Sequence, residues 1–201
     1  MNIPGARSCV AICLLAAIAG CATPPTQSTP VVADRPSDSE ETKNRELSYG
    51  YGQLYKTASG LKHLKKLLLV KVESAKVSML IDDISEYAEK LSGQLEKMDR
   101  DYPSLRIDDP GLPELETKRR KAVVWNEIYI LAPIVGKTGK DFERTLLLSQ
   151  VGVLNNVRFL AEVIKDAEKS EARKALVQEA QSRLNSLYQR TIRLLEQDYF
   201  C

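Results

Sequence analysis

From about Ser39 to the C terminus, apolar residues recur every three to four positions, the spacing that turns one side of an α-helix toward a core. The first such stretch carries Tyr49, Tyr51, Leu54, Tyr55, Ala58, Leu61, Leu64, Leu68 and Val72 and predicts a helix reaching Val72. Gly50, Gly52 and Gly60 weaken it, at roughly 1 kcal/mol each relative to alanine. Ser74 then stands as an N-cap before a second stripe of Val77, Leu80, Ile81, Ile84, Tyr87, Ala88, Leu91, Leu95 and Met98. Pro103, Pro110, Gly111 and Pro113 interrupt the pattern over 101–113, because proline cannot continue a helix and Asp109-Pro110-Gly111 is turn chemistry. A third helix is expected from Glu114 to Val135, apolar on several sides around Val123, Val124, Trp125, Ile128 and Leu131. A fourth opens at Thr138 or Gly139, with Asp141 in its first turn, and carries Phe142, Leu146, Val153, Leu154, Val157, Leu160, Ala161 and Ile164. Ser170 caps a fifth, which bears Leu176, Ala180, Leu184, Leu187, Ile192, Leu195 and Tyr199.

No stretch alternates with period two, so no sheet is expected. Long amphipathic helices joined by short turns predict an all-α fold, an antiparallel bundle of about four to five helices. That bundle occupies residues 39–201.

The first 38 residues have a different character. Arg7 precedes an apolar run from Cys9 to Ala19, the layout of an export signal. The run is about half of the ~20 residues needed to span a bilayer. It ends in Ile18-Ala19-Gly20-Cys21, which resembles the lipobox of bacterial lipoproteins, with Ile in place of the usual Leu. The resemblance implies that residues 1–20 are removed and that Cys21 receives a diacylglyceryl thioether and an N-acyl chain. Several chains on one residue suit stable anchoring, since a single chain binds a membrane only marginally. Ala22, next to the lipidated position, resembles the residue that passes a lipoprotein to the outer membrane rather than retaining it in the inner one. Residues 21–38 hold Pro24, Pro25, Pro30 and Pro36 among Ser, Thr and Asp, a composition that builds no core and reads as a flexible tether. Its coil dimension of about 20–25 Å would hold the domain off the membrane surface.

Charge and cysteine content narrow the function. The chain has 29 Lys+Arg against 27 Asp+Glu, and loss of Arg7 with the signal leaves the mature balance near +1. That balance gives no support for nucleic acid as a partner. Cys9 and Cys13 leave with the signal and Cys21 is acylated, so Cys201 is the remaining thiol. No internal disulfide can form, although a bridge to another molecule can.

Candidate sites dissolve on inspection. Gly136-Lys137-Thr138 looks like the end of a phosphate-binding loop, but Leu131 stands where the motif needs glycine, and a helix rather than a strand precedes it. His63, the sole histidine, lies among Lys62, Lys65 and Lys66, which oppose a metal cation. Gly60 holds the place of the glutamate that a Glu-x-x-His pair requires. Lys62–Lys66 and Lys118-Arg119-Arg120-Lys121 read as solvated faces balanced by acids such as Glu114 and Glu116. Tyr49, Tyr51 and Tyr55 read as packing against the bundle rather than as an exposed aromatic patch.

Two segments are similar to a family of exported bacterial proteins with a ferritin-like helical bundle. One is Ser74-Ala75-Lys76-Val77 with Ile81-Asp82-Asp83, ending at Leu95; the other is Gly139-Lys140-Asp141-Phe142-Glu143-Arg144 with Gln150-Val151. The family pattern carries a histidine on each helix, and those positions align with Ala88 and Leu154. The resemblance therefore implies the scaffold without a histidine-dependent metal site.

The expected function is a lipid-anchored, noncatalytic envelope protein that binds another envelope protein or serves a structural role, with no cofactor. The alternative is a ferritin-like metal protein using carboxylates alone, drawn from Glu86, Glu89 or Glu127. Hydrolysis of the cell wall lacks any nucleophile or His–carboxylate arrangement to carry it.

Overall fold

The structure, a computed structural model, describes residues 38–66, 74–108, 111, 114–119, 121–122 and 139–200. Cys21, the tether and Cys201 lie outside the described residues. So do Gly136–Thr138 and Trp125 with the apolar stretch around it.

Four long helices form the core: α1 (Asp38–Leu61), α2 (Ala75–Asp101), α3 (Lys140–Ala167) and α4 (Glu171–Asp198). The described residues contain no strand, and residues 114–119 and 121–122 are also helical. The fold is the expected all-α bundle.

The starts of α2 and α3 have local reasons. Ser74 N-caps α2, its hydroxyl accepting from the Val77 N–H at a long 3.5 Å. Gly139 precedes α3 at φ 71°, a left-handed backbone that glycine adopts without a Cβ penalty. Asp141 and Glu143 follow in the first turn, where the helix dipole favours negative charge.

Two expectations change. The first helix is interrupted: it ends at Leu61, a turn follows over 62–64, residues 65–66 are helical again, and 67–72 lie outside the described residues. The cause is Ser85, fully buried on α2. Its hydroxyl donates to the Leu61 carbonyl at 3.4 Å and accepts from the Lys65 N–H at 3.1 Å, satisfying groups that a continuous helix would pair internally. Ser170 does hold the N-cap position of α4, but its side chain makes no capping bond. Glu168 takes that part instead, its Oε1 accepting from the Ser170 N–H at 2.8 Å.

The contacts fix the directions. Lys169 at the α3–α4 turn approaches Glu40 at the start of α1, and Lys76 at the start of α2 pairs with Asp198 at the end of α4. Tyr51 and Gly50 meet Glu168 and Ile164, whereas Ala58 and Leu61 lie with Leu154 and Val157. Helices that pack side by side (α1 on α2, α1 on α3, α3 on α4, α2 on α4) are thus antiparallel, with the closest packing between α3 and α4. It follows that α2 and α3 run in the same direction. The end of α2 and the start of α3 therefore lie at opposite ends of the bundle.

The core stripe of α2 matches expectation residue for residue. On α3, Leu147 is buried while Val153 and Leu160 are half-buried. On α4, Val177 and Leu194 replace Leu176 and Ile192 in the core, one or two positions round the helix. The interruption after α2 is not pure surface either. A 3-10 turn over Pro103–Leu105 leads to Arg106 in a left-handed conformation at φ 45°, which costs a non-glycine residue about 1 kcal/mol. The bend buries Leu105 and Ile107, and the Ile107 N–H donates to Asp99 Oδ1 at 2.6 Å.

Candidate functional site

Two buried carboxylates stand at opposite ends of the bundle, and neither was singled out from sequence. At one end Glu168 follows α3 with its side chain fully buried. Its Oε2 accepts from the Tyr51 hydroxyl at 2.7 Å and from Arg173 Nε at 2.8 Å. Its Oε1 accepts from Arg173 Nη2 and from the Ser170 N–H, both at 2.8 Å. Burial alone would push this carboxyl up, but the Arg173 guanidinium, the Ser170 N–H and the Tyr51 hydroxyl outweigh it and hold the group down at about 2. Burial and the adjoining carboxylate push the Tyr51 hydroxyl well above its ordinary value. Arg173 also lies over the Tyr102 ring at 4.9 Å, tying α1, α2, α3 and α4 to one anion.

At the other end Glu143, 2 % exposed on α3, accepts from the Ser74 N–H at 2.7 Å and from the Tyr199 hydroxyl at 2.6 Å. It thereby caps the start of α2 and clamps the end of α4. Burial and Glu143 raise the Tyr199 phenol.

These geometries limit the chemistry. A carboxylate has about four lone-pair sites, and in Glu168 all four are taken by donors from the protein itself. That arrangement fixes helix ends and leaves no lone pair for a proton in transit or for a metal.

Between the two ends the interior is closely packed and largely apolar. Ala58, Leu61, Ile84, Tyr87, Ala88, Leu91, Leu154, Val157, Leu184 and Leu187 surround a cavity of about 10 Å³, at the limit for one water and without the polar partners a water needs. Ala88 and Leu154, the positions where the family resemblance would place histidine, both line it. Glu86 and Glu89 point away from this interior and are exposed, Glu89 toward Lys65 at 3.6 Å; Glu127 lies outside the described residues. No group of three or more His, Cys, Asp or Glu among the described residues is placed to hold a metal ion. No helix among them is long and apolar enough to cross a membrane.

The remaining sequence candidates fall on the surface. His63 sits in the turn after α1, its N–H bonded to the Gly60 carbonyl. Lys118 pairs with Glu114 at 2.7 Å and Arg119 with Glu116 at 2.6 Å, as the balanced-face reading expects. The three tyrosines separate. Tyr51 is buried, whereas Tyr49 and Tyr55 are half-buried and donate to the Gly111 carbonyl and to Glu96 Oε1.

A further concavity lies between α2 and α4. It is an open groove of about 560 Å³ lined by Asp83, Glu86, Tyr87, Lys90, Glu179, Ser182 and Arg183. Ion pairs bridge it from wall to wall, Lys90–Glu179 at 2.7 Å and Asp83–Arg190 at 2.6 Å. Its lining mixes both signs and brings no nucleophile against a base.

No protein-family model matches the chain, and neither does any curated protein or solved structure.

Proposed function

We propose that this chain is a lipid-anchored cell-envelope protein, attached through Cys21 and held on the periplasmic face of the outer membrane, whose helical domain binds another envelope component or serves a structural role without catalysing a reaction. The observation that carries the noncatalytic reading is the condition of its buried acids. Glu168 is saturated by Tyr51, Arg173 and Ser170, and Glu143 is committed to Ser74 and Tyr199. Both spend their charge on helix ends. The lipobox-like Ile18-Ala19-Gly20-Cys21 and the proline-rich tether support the location.

Crosslinking in intact cells followed by purification of the chain tests the role. An envelope protein recovered in fixed ratio supports it. A transition metal bound in near-stoichiometric amount, in protein purified without chelator, would contradict it in favour of a carboxylate metal site.

A further inference from the structure

The outward face of α3 carries an apolar stripe that stands exposed among the described residues. Leu148, Phe159 and Val163 are 46, 48 and 65 % exposed. With Gly152 they fall at spacings of four, seven and four, one line down a helix, about 22 Å long. The core side of α3, through Leu147, Leu154, Ala161 and Ile164, lies opposite. Gly152 is exposed, and a Cβ built on it would meet nothing within 4 Å. The stripe thus has two ridges and one hole.

The order of ridges and hole is its own complement. Turned end for end about a point midway between Asn155 and Asn156, Leu148 falls opposite Val163, Gly152 opposite Phe159, and Asn155 opposite Asn156. The two aromatic rings then seat over the two glycines, where the missing side chain admits them, and the half-buried Asn155 of each copy meets the exposed Asn156 of the other at the axis. Charge follows the same centre to within one residue. Arg144 is brought beside Asp166 at both ends, and each is held only loosely in its own chain, Arg144 at 3.7 Å from Asp141 and Asp166 at 3.7 Å from Lys165. Arg158 lies over the Phe159 ring at 4.1 Å and bonds Asn155 Oδ1 at 2.8 Å, which holds the ring in place before any partner arrives.

We propose that this face of α3 is a docking surface for the same face of a second copy of the chain, packed antiparallel about a two-fold axis between Asn155 and Asn156. Isologous contact of this kind closes on itself at two copies. A single pair of helices makes a small interface, below about 1,200 Å², so the pair is weak in solution, with a dissociation constant of roughly micromolar or higher. The inference stands on described residues of α3 and is independent of the anchor.

Sedimentation equilibrium of the full mature chain in detergent tests it. The expected result is a concentration-dependent dimer whose association constant falls at least tenfold in Gly152→Leu and in Phe159→Glu. Gly152→Leu is the sharper variant, because its added side chain enters open space in the monomer and collides only with the partner's ring. Arg144→Asp and Asp166→Arg each weaken the dimer, and their combination restores it. In membranes, Asn156→Cys in a Cys201→Ser background should give an oxidised dimer that the Cys201→Ser parent does not. A chain that stays monomeric without an Asn156 crosslink overturns the proposal. So does a dimer indifferent to these substitutions, or an Asn156→Cys that captures a different protein.

Discussion

Removing the Glu168 carboxylate should cost the bundle about 3 kcal/mol. The drop from the ordinary glutamate value of 4.5 to about 2 corresponds to about 3 kcal/mol at 1.36 kcal/mol per unit of pKa. Arg173 is 20 % exposed, and partial screening by water trims that figure toward about 2 kcal/mol. Seen from its partners, Glu168→Ala leaves Arg173, the Tyr51 hydroxyl and the Ser170 N–H without their acceptor, and breaking a buried pair this way costs about 3–5 kcal/mol in all, so the two routes meet near 3 kcal/mol. A value near 3 kcal/mol lowers Tm by about 6–12 °C in a domain of this size. Thermal unfolding followed by circular dichroism measures it. The pH dependence supplies an independent sign. The folded carboxyl titrates below the unfolded one, so its contribution is complete above about pH 5 and fades as the pH falls from there toward 2. The stability gap between wild type and Glu168→Gln should close over that window. A Tm loss under about 2 °C, or a gap that persists at pH 2, would refute the role assigned to Glu168.

Two further substitutions test the packing. A Cβ on Gly50 would lie 2.8 Å from Ile164 Cγ1, so Gly50→Val should destabilise by about 1–3 kcal/mol through overpacking, whereas Gly93→Ala, in open space on α2, should stabilise by up to about 1 kcal/mol through helix propensity; urea unfolding reads both. Gln150 is 4 % exposed; its Nε2 donates to Ser149 Oγ at 3.0 Å, but its Oε1 has no hydrogen-bond partner among the described residues. Gln150→Leu should therefore raise stability by about 1–2 kcal/mol, because an orphaned buried acceptor carries a desolvation cost that an apolar side chain of similar size does not.

What could be read from the sequence was what depends on neighbours along the chain. The α2 stripe from Val77 to Met98 and the Ser74 cap follow from local period and composition, and both are present. What escaped reading depends on residues far apart. Tyr51 and Glu168 are 117 positions apart, and Glu143 and Tyr199 are 56 apart; a lone Glu beside a helix end does not announce the donors that converge on it. Ser85 looks like an ordinary polar interruption of a core stripe, yet it is what stops α1 at Leu61. Leu105 and Ile107 sit among prolines and charges, and only the left-handed turn at Arg106 carries them inward. The parallel course of α2 and α3 was hidden for a related reason. Helix length and period are local, whereas helix direction shows only in long-range pairings such as Lys76 with Asp198.

The same distinction applies to function. The proposed N-terminal address rests on a local signal of four residues, Ile18-Ala19-Gly20-Cys21, while the domain's role rests on which surfaces it leaves for others. The open groove between α2 and α4 is crossed by ion pairs of both signs. The α3 stripe has no such crossing among the described residues, where Leu148, Phe159 and Val163 are exposed.

The central claim is that this helical domain is held to a membrane through lipid on Cys21, and the mass of the intact protein extracted from membranes tests it most directly. The account predicts an N terminus at Cys21 carrying acyl chains, with Cys21→Ala leaving an unprocessed, unlipidated chain. A mature protein that begins elsewhere, or that begins at Cys21 without lipid, would contradict it.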